Sequence, residues 1–221
     1  MNNKKKVSYL QLLTCVLYTS ALLVSNILTS KQCLFPFGIV VDGAIFIFPI
    51  TYILSDVFSE VYGYKWSRIT NYIGFAMQAL MSVIFMLVER WSYPDYYTNQ
   101  EAFSAILGNT PRIAIASLVA FVLGDLVNDK IFDTMKTKHK DSMKGFGLRA
   151  IVSSVFGNTF DSTAFYIIAF IGIFPVNTIL SLILGNAILK TSYEIICLPV
   201  TTLVTKKVLK YERDAENSTD V

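Results

Sequence analysis

Charge is scarce in this sequence: Asp, Glu, Lys and Arg make up 16% of its 221 residues, where soluble domains carry about a quarter. Histidine occurs once, as His139. There is no His-Glu-x-x-His metal motif, no Gly-x-Ser-x-Gly nucleophile motif and no glycine loop that could cradle a phosphate, so the chain cannot itself hydrolyse ATP and an enzyme is not expected. The three cysteines, Cys15, Cys33 and Cys197, show no paired spacing, which argues against a disulfide framework or a zinc site. A net charge of +3 is too small to call for nucleic acid. No cofactor, metal or nucleic-acid partner follows from these residues.

What fills the chain is apolar. Hydrophobic residues make up 53%, mean hydropathy is +0.51, and the charges cluster between stretches of about twenty apolar residues, the length that crosses a bilayer core. The pattern predicts an all-α polytopic membrane protein with about six transmembrane helices, near Ser8–Thr29, Ala44–Tyr62, Ile69–Val88, Ile113–Phe132, Leu148–Ile173 and Asn177–Thr205. The first stretch follows Lys4, Lys5 and Lys6 as a signal peptide would. It lacks a small-residue cleavage site and runs too long, so it reads as a retained helix. Pro49 and Pro199 are expected to bend or break the second and sixth helices. Residues 1–211 read as one transmembrane domain and 212–221 as a disordered cytoplasmic tail.

Lys and Arg set the orientation. Fifteen of the nineteen fall on one side: Lys4 to Lys6, Lys65 and Arg68, the cluster from Lys130 to Arg149, and Lys206, Lys207, Lys210 and Arg213. Lys31, Arg90 and Arg112 fall on the other, and Lys190 lies within the membrane. Both termini are therefore expected in the cytoplasm. The outer segment Glu89–Thr110, with Trp91, Tyr93, Tyr96 and Tyr97, reads as an interfacial aromatic belt or a short lid.

An ionisable group near the bilayer centre costs on the order of 3 kcal/mol or more, so each one needs a reason to be there. Asp56 and Glu60 stand four apart on one face of the second helix, and Asp125 and Asp129 repeat this on the fourth, with Asn128 beside them. Asn158 and Asp161 lie three apart on the fifth. Asn186, Lys190 and Glu194 form a stripe on the sixth, and Asn26, Asn71 and Gln78 lie on the first and third. Structural roles account for some of these. Glu60 and Asp129, beside Lys65 and Lys130, suit helix ends; Asn26, Asn71 and Gln78 suit interhelical hydrogen bonds worth roughly 1 kcal/mol each; Lys190 and Glu194 could pair along their helix. Asp56, Asp125, Asn158 and Asp161 have no cation nearby in sequence. Six acids face one buried lysine, an imbalance to be met by protonation, a bound cation or a cationic substrate. Transport of a small molecule is the expected function, with a lipid bilayer as surroundings.

Leu54–Glu60 also aligns with Leu123–Asp129 at an offset of 69 residues, as a parallel two-helix repeat would. Ala116-x-x-x-Ala120 is a close-packing pattern through which the chain could dock as the substrate-binding subunit of an ATP-driven vitamin uptake complex. The acid excess taken alone would suit an ion-coupled carrier of another small cation. Association of two copies is compatible with the sequence.

Several runs, taken in order, resemble one family. They are Phe48-Pro49-Ile50-Thr51-Tyr52 leading to Asp56, Glu60 and Val61-Tyr62-Gly63-Tyr64; Gly124-Asp125 through Asn128-Asp129-Lys130-Ile131-Phe132; Leu148-Arg149 into Ser153-Ser154; Gly157-Asn158 with Asp161-Ser162; and Tyr193-Glu194 with Pro199 and Thr201. Together they are similar to the queuosine precursor transporter family, earlier grouped with vitamin uptake transporters. The third helix and the outer segment carry none of the pattern, and Asn158 stands where many relatives have Gln or Glu, which leaves the preferred precursor open. The resemblance implies import of a 7-deazaguanine, either a queuosine precursor base or queuine, for salvage into tRNA. Such a purine-like ligand offers N–H donors to a carboxylate, and acceptors to Asn or Lys. On this reading Asp161 and Asn158 meet the base edge, Glu194 and Lys190 are the next pair, and Asp56 with Asp125 forms a gate or second carboxylate pair. Asn128 and Asn186 complete the candidate site, and Phe48, Tyr52, Phe160, Phe165 and Tyr193 are aromatic faces that could stack on the ring.

Overall fold

The computed structural model describes the backbone of residues 7–138 and 143–219; the basic stretch around His139 and the first six residues, with their lysines, lie outside it. Helix α1 (Tyr9–Leu28) begins at Ser8, whose hydroxyl accepts from the Gln11 amide at 3.0 Å. A short antiparallel hairpin follows, β1 (Gln32–Leu34) on β2 (Val40–Asp42), and then a 3-10 turn over Gly43–Phe46. Next come α2 (Phe48–Val57), α3 (Tyr64–Glu89), α4 (Gln100–Leu107), α5 (Thr110–Lys138), α6 (Met143–Phe170) and α7 (Val176–Thr219).

The six long elements stand where the apolar stretches predict them, with informative differences at their ends. α2 starts at Phe48 and not Ala44, because Pro49 occupies its first turn, where a missing N–H costs nothing. It gives way to a π-helical turn at Phe58–Tyr62 and reverses at Gly63, whose φ of 83° places it in the left-handed region. Pro199 does not break α7, which continues to Thr219. From Glu212 the backbone is helical up to that residue. Glu212 itself accepts hydrogen bonds from Ser8 at 2.6 Å and Tyr62 at 2.9 Å, tying the start of α1 and the end of α2 to α7.

Packing gives the cyclic order α1–α3–α5–α6–α7–α2, closing back on α1. Sidedness is inverted relative to a soluble bundle. The buried face of α3 is Ser67, Thr70, Asn71, Gly74, Gln78 and Ser82, small or polar throughout. Its exposed positions include Ile73, Met77, Leu80, Val83, Ile84 and Leu87. Lipid is as apolar as leucine, so small and polar residues are the ones that hold membrane helices together. On length and apolarity alone, Tyr9–Leu28, Tyr64–Glu89, Gln100–Asn128 and Val176–Asp214 suffice to cross a membrane. α2 is too short before its π turn, and α6 is diluted by Ser153, Ser154, Asn158, Asp161 and Ser162; both complete the ring. The chain is an all-α polytopic membrane protein.

Two features lock the ring. Gly124 and Gly157 bring α5 and α6 together: a Cβ on Gly124 would lie 3.2 Å from the Gly157 carbonyl, and one on Gly157 would lie 3.1 Å from that of Gly124. At the other end of these helices, Ile113, Ala116, Ala169, Phe170, Leu182 and Ile183 form an apolar core between α5, α6 and α7. Arg112 caps it by donating to the carbonyls of Ile168 and Ile171, both at 2.6 Å, near the C-terminus of α6. Ala116 and Ala120 are both buried, so this close-packing pair is used within the bundle and presents no docking face. The segment after α3 gains the unpredicted α4, held to Glu89 through Gln100 and Ser104. Trp91 and Tyr96 on this segment are largely exposed.

The 69-residue similarity does not extend to packing. α5 and α6 make the most extensive interface in the molecule, whereas α3 meets the α2 arm chiefly through the π turn at Phe58–Tyr62.

Candidate functional site

The ring encloses a cavity of about 460 Å³, within the usual range for ligand sites. Asp56, Asp125, Asn128, Asn158, Asp161, Lys190 and Glu194 all line it. Asn186 does not. It is wholly buried in α7 with its amide donating to the Leu182 carbonyl at 3.2 Å, one turn back on the same helix. The stripe predicted on α7 is thus split, because a spacing of four advances by more than a full turn and Asn186 has rotated into the helix packing.

The α6–α7 side carries the charge. Lys190 Nζ pairs with Asp161 at 2.5 Å and stands 4.8 Å from the centre of the Phe48 ring, a cation–π position. Glu194 does not pair with Lys190. It accepts instead from Ser154 at 2.6 Å and from the Asn158 amide at 3.1 Å, and that amide also faces Thr191 Oγ1 at 3.4 Å. A side chain at Gly124 would come within 2.9 Å of Asp161 Cβ, so the α5–α6 contact that lacks side chains is also what sets Asp161 at the wall.

Asp125 and Asp56 are not a pair. Asp125 meets Arg68 of α3 at 2.9 Å, and Arg68 in turn donates to Tyr64 at 2.8 Å. Along the sequence Arg68 counts towards topology and Asp125 has no neighbouring cation. The partner was invisible because it comes from a helix 57 positions away that neighbours α5 only in space. Asp56 makes no hydrogen bond or ion pair among the described residues. Its charged neighbours are Glu194 and Glu60, so three carboxylates gather where α2 and its π turn meet α7. Nothing is described of the Asp129 side chain.

Sequence reading also missed the hairpin's contribution. Asp42 is buried at the cavity's edge. One of its oxygens accepts from the Ala44 amide at 3.0 Å, capping the 3-10 turn, and the other accepts from the Tyr166 hydroxyl. Lys190 is within its electrostatic reach. Close contacts seat the hairpin: a Cβ on Gly185 would lie 2.6 Å from the Val40 carbonyl, and one on Gly43 would lie 2.7 Å from that of Leu28. The available signal was an Asp followed by Gly-Ala between two apolar runs, a turn-capping pattern. Asn26 and Gln78, read as packing residues, line the cavity too. Of the aromatic candidates, Phe48, Tyr52 and Phe165 line it, while Phe160 and Tyr193 do not. The segment Glu89–Thr110 contributes no lining residue.

With Lys190 on Asp161 and Arg68 on Asp125, three lining carboxylates (Asp42, Asp56 and Glu194) have no cation at ion-pair distance among the described residues. Among those residues no cluster of three or more His, Cys, Asp or Glu is placed to hold a metal. The wall can therefore offer paired acceptors to N–H groups, a cationic donor to an acceptor atom, and a carboxylate to an amine.

Three comparisons bear on this arrangement. A family model described as "Putative vitamin uptake transporter" matches residues 42–204. A protein of Bacillus subtilis strain 168 described as "Probable queuosine precursor transporter" is 25% identical over 161 residues, spanning 73% of this chain and 70% of that protein. No solved structure matches.

Proposed function

The chain belongs to the family described as putative vitamin uptake transporters, and from that premise we propose that it imports a 7-deazaguanine, a queuosine precursor base or queuine, across the cytoplasmic membrane. The observation that carries the reading is the convergence of acids, amides and one lysine on a cavity inside a membrane bundle. The family membership supports transport, and the name given to the Bacillus subtilis relative supports the cargo class.

In this reading Asp161 accepts from the N–H groups of the base edge, while Lys190, held at 2.5 Å by Asp161, donates to the ring carbonyl or nitrogen. Asn158, already bonded to Glu194, extends the same surface. Asp56 and Glu194 receive a cationic amine on the substituent, which offsets their mutual repulsion. Asp125 is held by Arg68 and serves as a gate element between α3 and α5, with Asn128 one turn beyond. Phe48, beneath Lys190, offers a face for the flat ring. The end carrying Lys65, Arg68, Lys206, Lys207 and Lys210 faces the cytoplasm, in accord with the positive-inside rule.

The test is uptake in a host that cannot make queuosine and lacks its own transporter. Expression of this chain with a labelled 7-deazaguanine should yield queuosine-modified tRNA, and an empty vector should not. Equal modification with and without the chain rejects the cargo. Running the assay in a host without an ATP-driven vitamin uptake complex separates a self-sufficient carrier from a substrate-binding subunit. A carrier of some other small cation would show no protection against thermal unfolding by a deazaguanine.

A further inference from the structure

On the cavity wall opposite the α6–α7 charges, where α1, α3 and α5 meet, Asn26 and Gln78 take no part in the contacts invoked so far. Gly74 lets α1 and α3 approach so closely that a Cβ there would stand 2.7 Å from Leu22 Cδ1. One turn further, Gln78 Nε2 donates to the Leu22 carbonyl at 3.4 Å. A carbonyl oxygen can only accept, so this contact fixes which way the amide points and leaves its oxygen, Oε1, as the end without a partner. On α1, one turn beyond Leu22, Asn26 Oδ1 accepts from Ser117 of α5 at 3.2 Å, and its Nδ2 is likewise unpartnered. Gln78 is 2% exposed and Asn26 4%, and both line the cavity. A buried acceptor and a buried donor, on two residues that line the cavity, are thus left without a partner among the described residues, where folded proteins leave few such groups unmet. A hydroxyl answers both at once, since it accepts one hydrogen bond and donates another.

We infer that Asn26 and Gln78 form a second subsite that takes a hydroxyl-bearing substituent of the cargo, with Asn26 Nδ2 donating to the hydroxyl oxygen and Gln78 Oε1 accepting its O–H. The inference rests on the deazaguanine reading: the base edge occupies the α6–α7 wall and its substituent reaches across the ring to α1 and α3. It makes this wall the part of the cavity that separates a base carrying a hydroxylated ring, as queuine does, from one carrying only an aminomethyl group.

The experiment measures uptake of queuine and of the aminomethyl 7-deazaguanine by the same cells and takes their ratio. Gln78→Met keeps length and removes the acceptor. It should lower the queuine-to-aminomethyl ratio about tenfold, the value of roughly one hydrogen bond. Asn26→Ala should do the same by removing the donor, and it carries the test if Gln78→Met fails to reach the membrane. An unchanged ratio in a variant that reaches the membrane, whether both rates fall together or neither moves, overturns the subsite and leaves these amides as packing or water ligands. So does a wild-type chain that takes the aminomethyl base and rejects queuine. Uptake of neither base by the wild-type chain would instead remove the deazaguanine reading, and this inference with it.

Discussion

Lys190 is the residue on which the charged wall turns. It meets Asp161 at 2.5 Å with side chains 11% and 24% exposed, so the pair is largely withdrawn from water. Removing one partner of such a pair strands the other, at about 3 kcal/mol, the low end for a buried pair because Asp161 keeps some contact with the cavity. Replacing both by apolar or neutral groups of similar shape is nearly neutral for folding. This separates stability from function. Lys190→Met alone should lower the thermal stability of the detergent-purified protein, and the double variant Lys190→Met with Asp161→Asn should recover most of it. Neither should import the base. Recovery of uptake alongside stability in the double variant would show the pair to be a strut and remove it from the binding site. Asp161→Ala alone would be ambiguous on this point, because it leaves an uncompensated lysine behind.

At the scale of elements, the spans were legible because bilayer thickness imposes a length and lipid imposes apolarity, both of which a single chain records. The hairpin between α1 and α2 was not legible. Strands of three residues carry no periodicity, and Phe37 takes a left-handed φ of 67° that its residue type does not advertise. Seven of the eight candidate positions line one cavity, and their pairings were not legible. A sequence shows neighbours along a helix, such as Lys190 and Glu194, and hides those across the ring, such as Arg68 with Asp125. The glycines carried more information than their flexibility. Gly124 and Gly157 are needed as surfaces, since α5 and α6 touch through them. Gly124→Val would drive methyl groups against Asp161 Cβ, at 2.9 Å even for a bare Cβ. It should cost about 1–3 kcal/mol of stability and reduce uptake beyond what the loss of folded protein explains, because it displaces Asp161. Thermal unfolding and uptake per folded molecule, measured together, check both parts. An unchanged melting temperature would mean that the two helices do not pack as described.

For the whole molecule, the inverted sidedness, the closed ring and the asymmetric ends argue together. Exposed leucines, isoleucines and valines cover α1, α3 and α7 on the outside, while polar groups line the inside. At one end Glu212 draws together α1, α2 and α7 through Ser8 and Tyr62, amid Lys65, Lys206, Lys207 and Lys210. At the other stand the hairpin, the exposed aromatics near Trp91 and Tyr96, and Arg112 spent on capping α6. In the proposed orientation, the end that retains positive charge lies in the cytoplasm, as the positive-inside rule expects. The consequence can be read by labelling. In a chain whose Cys15, Cys33 and Cys197 are replaced by serine, Tyr96→Cys should react with a membrane-impermeant maleimide on intact cells. Lys207→Cys should react only after the membrane is opened. The reverse pattern would invert the orientation and turn the proposed importer's basic end outward. Labelling of both sites on intact cells would mean that the ring does not seal the membrane.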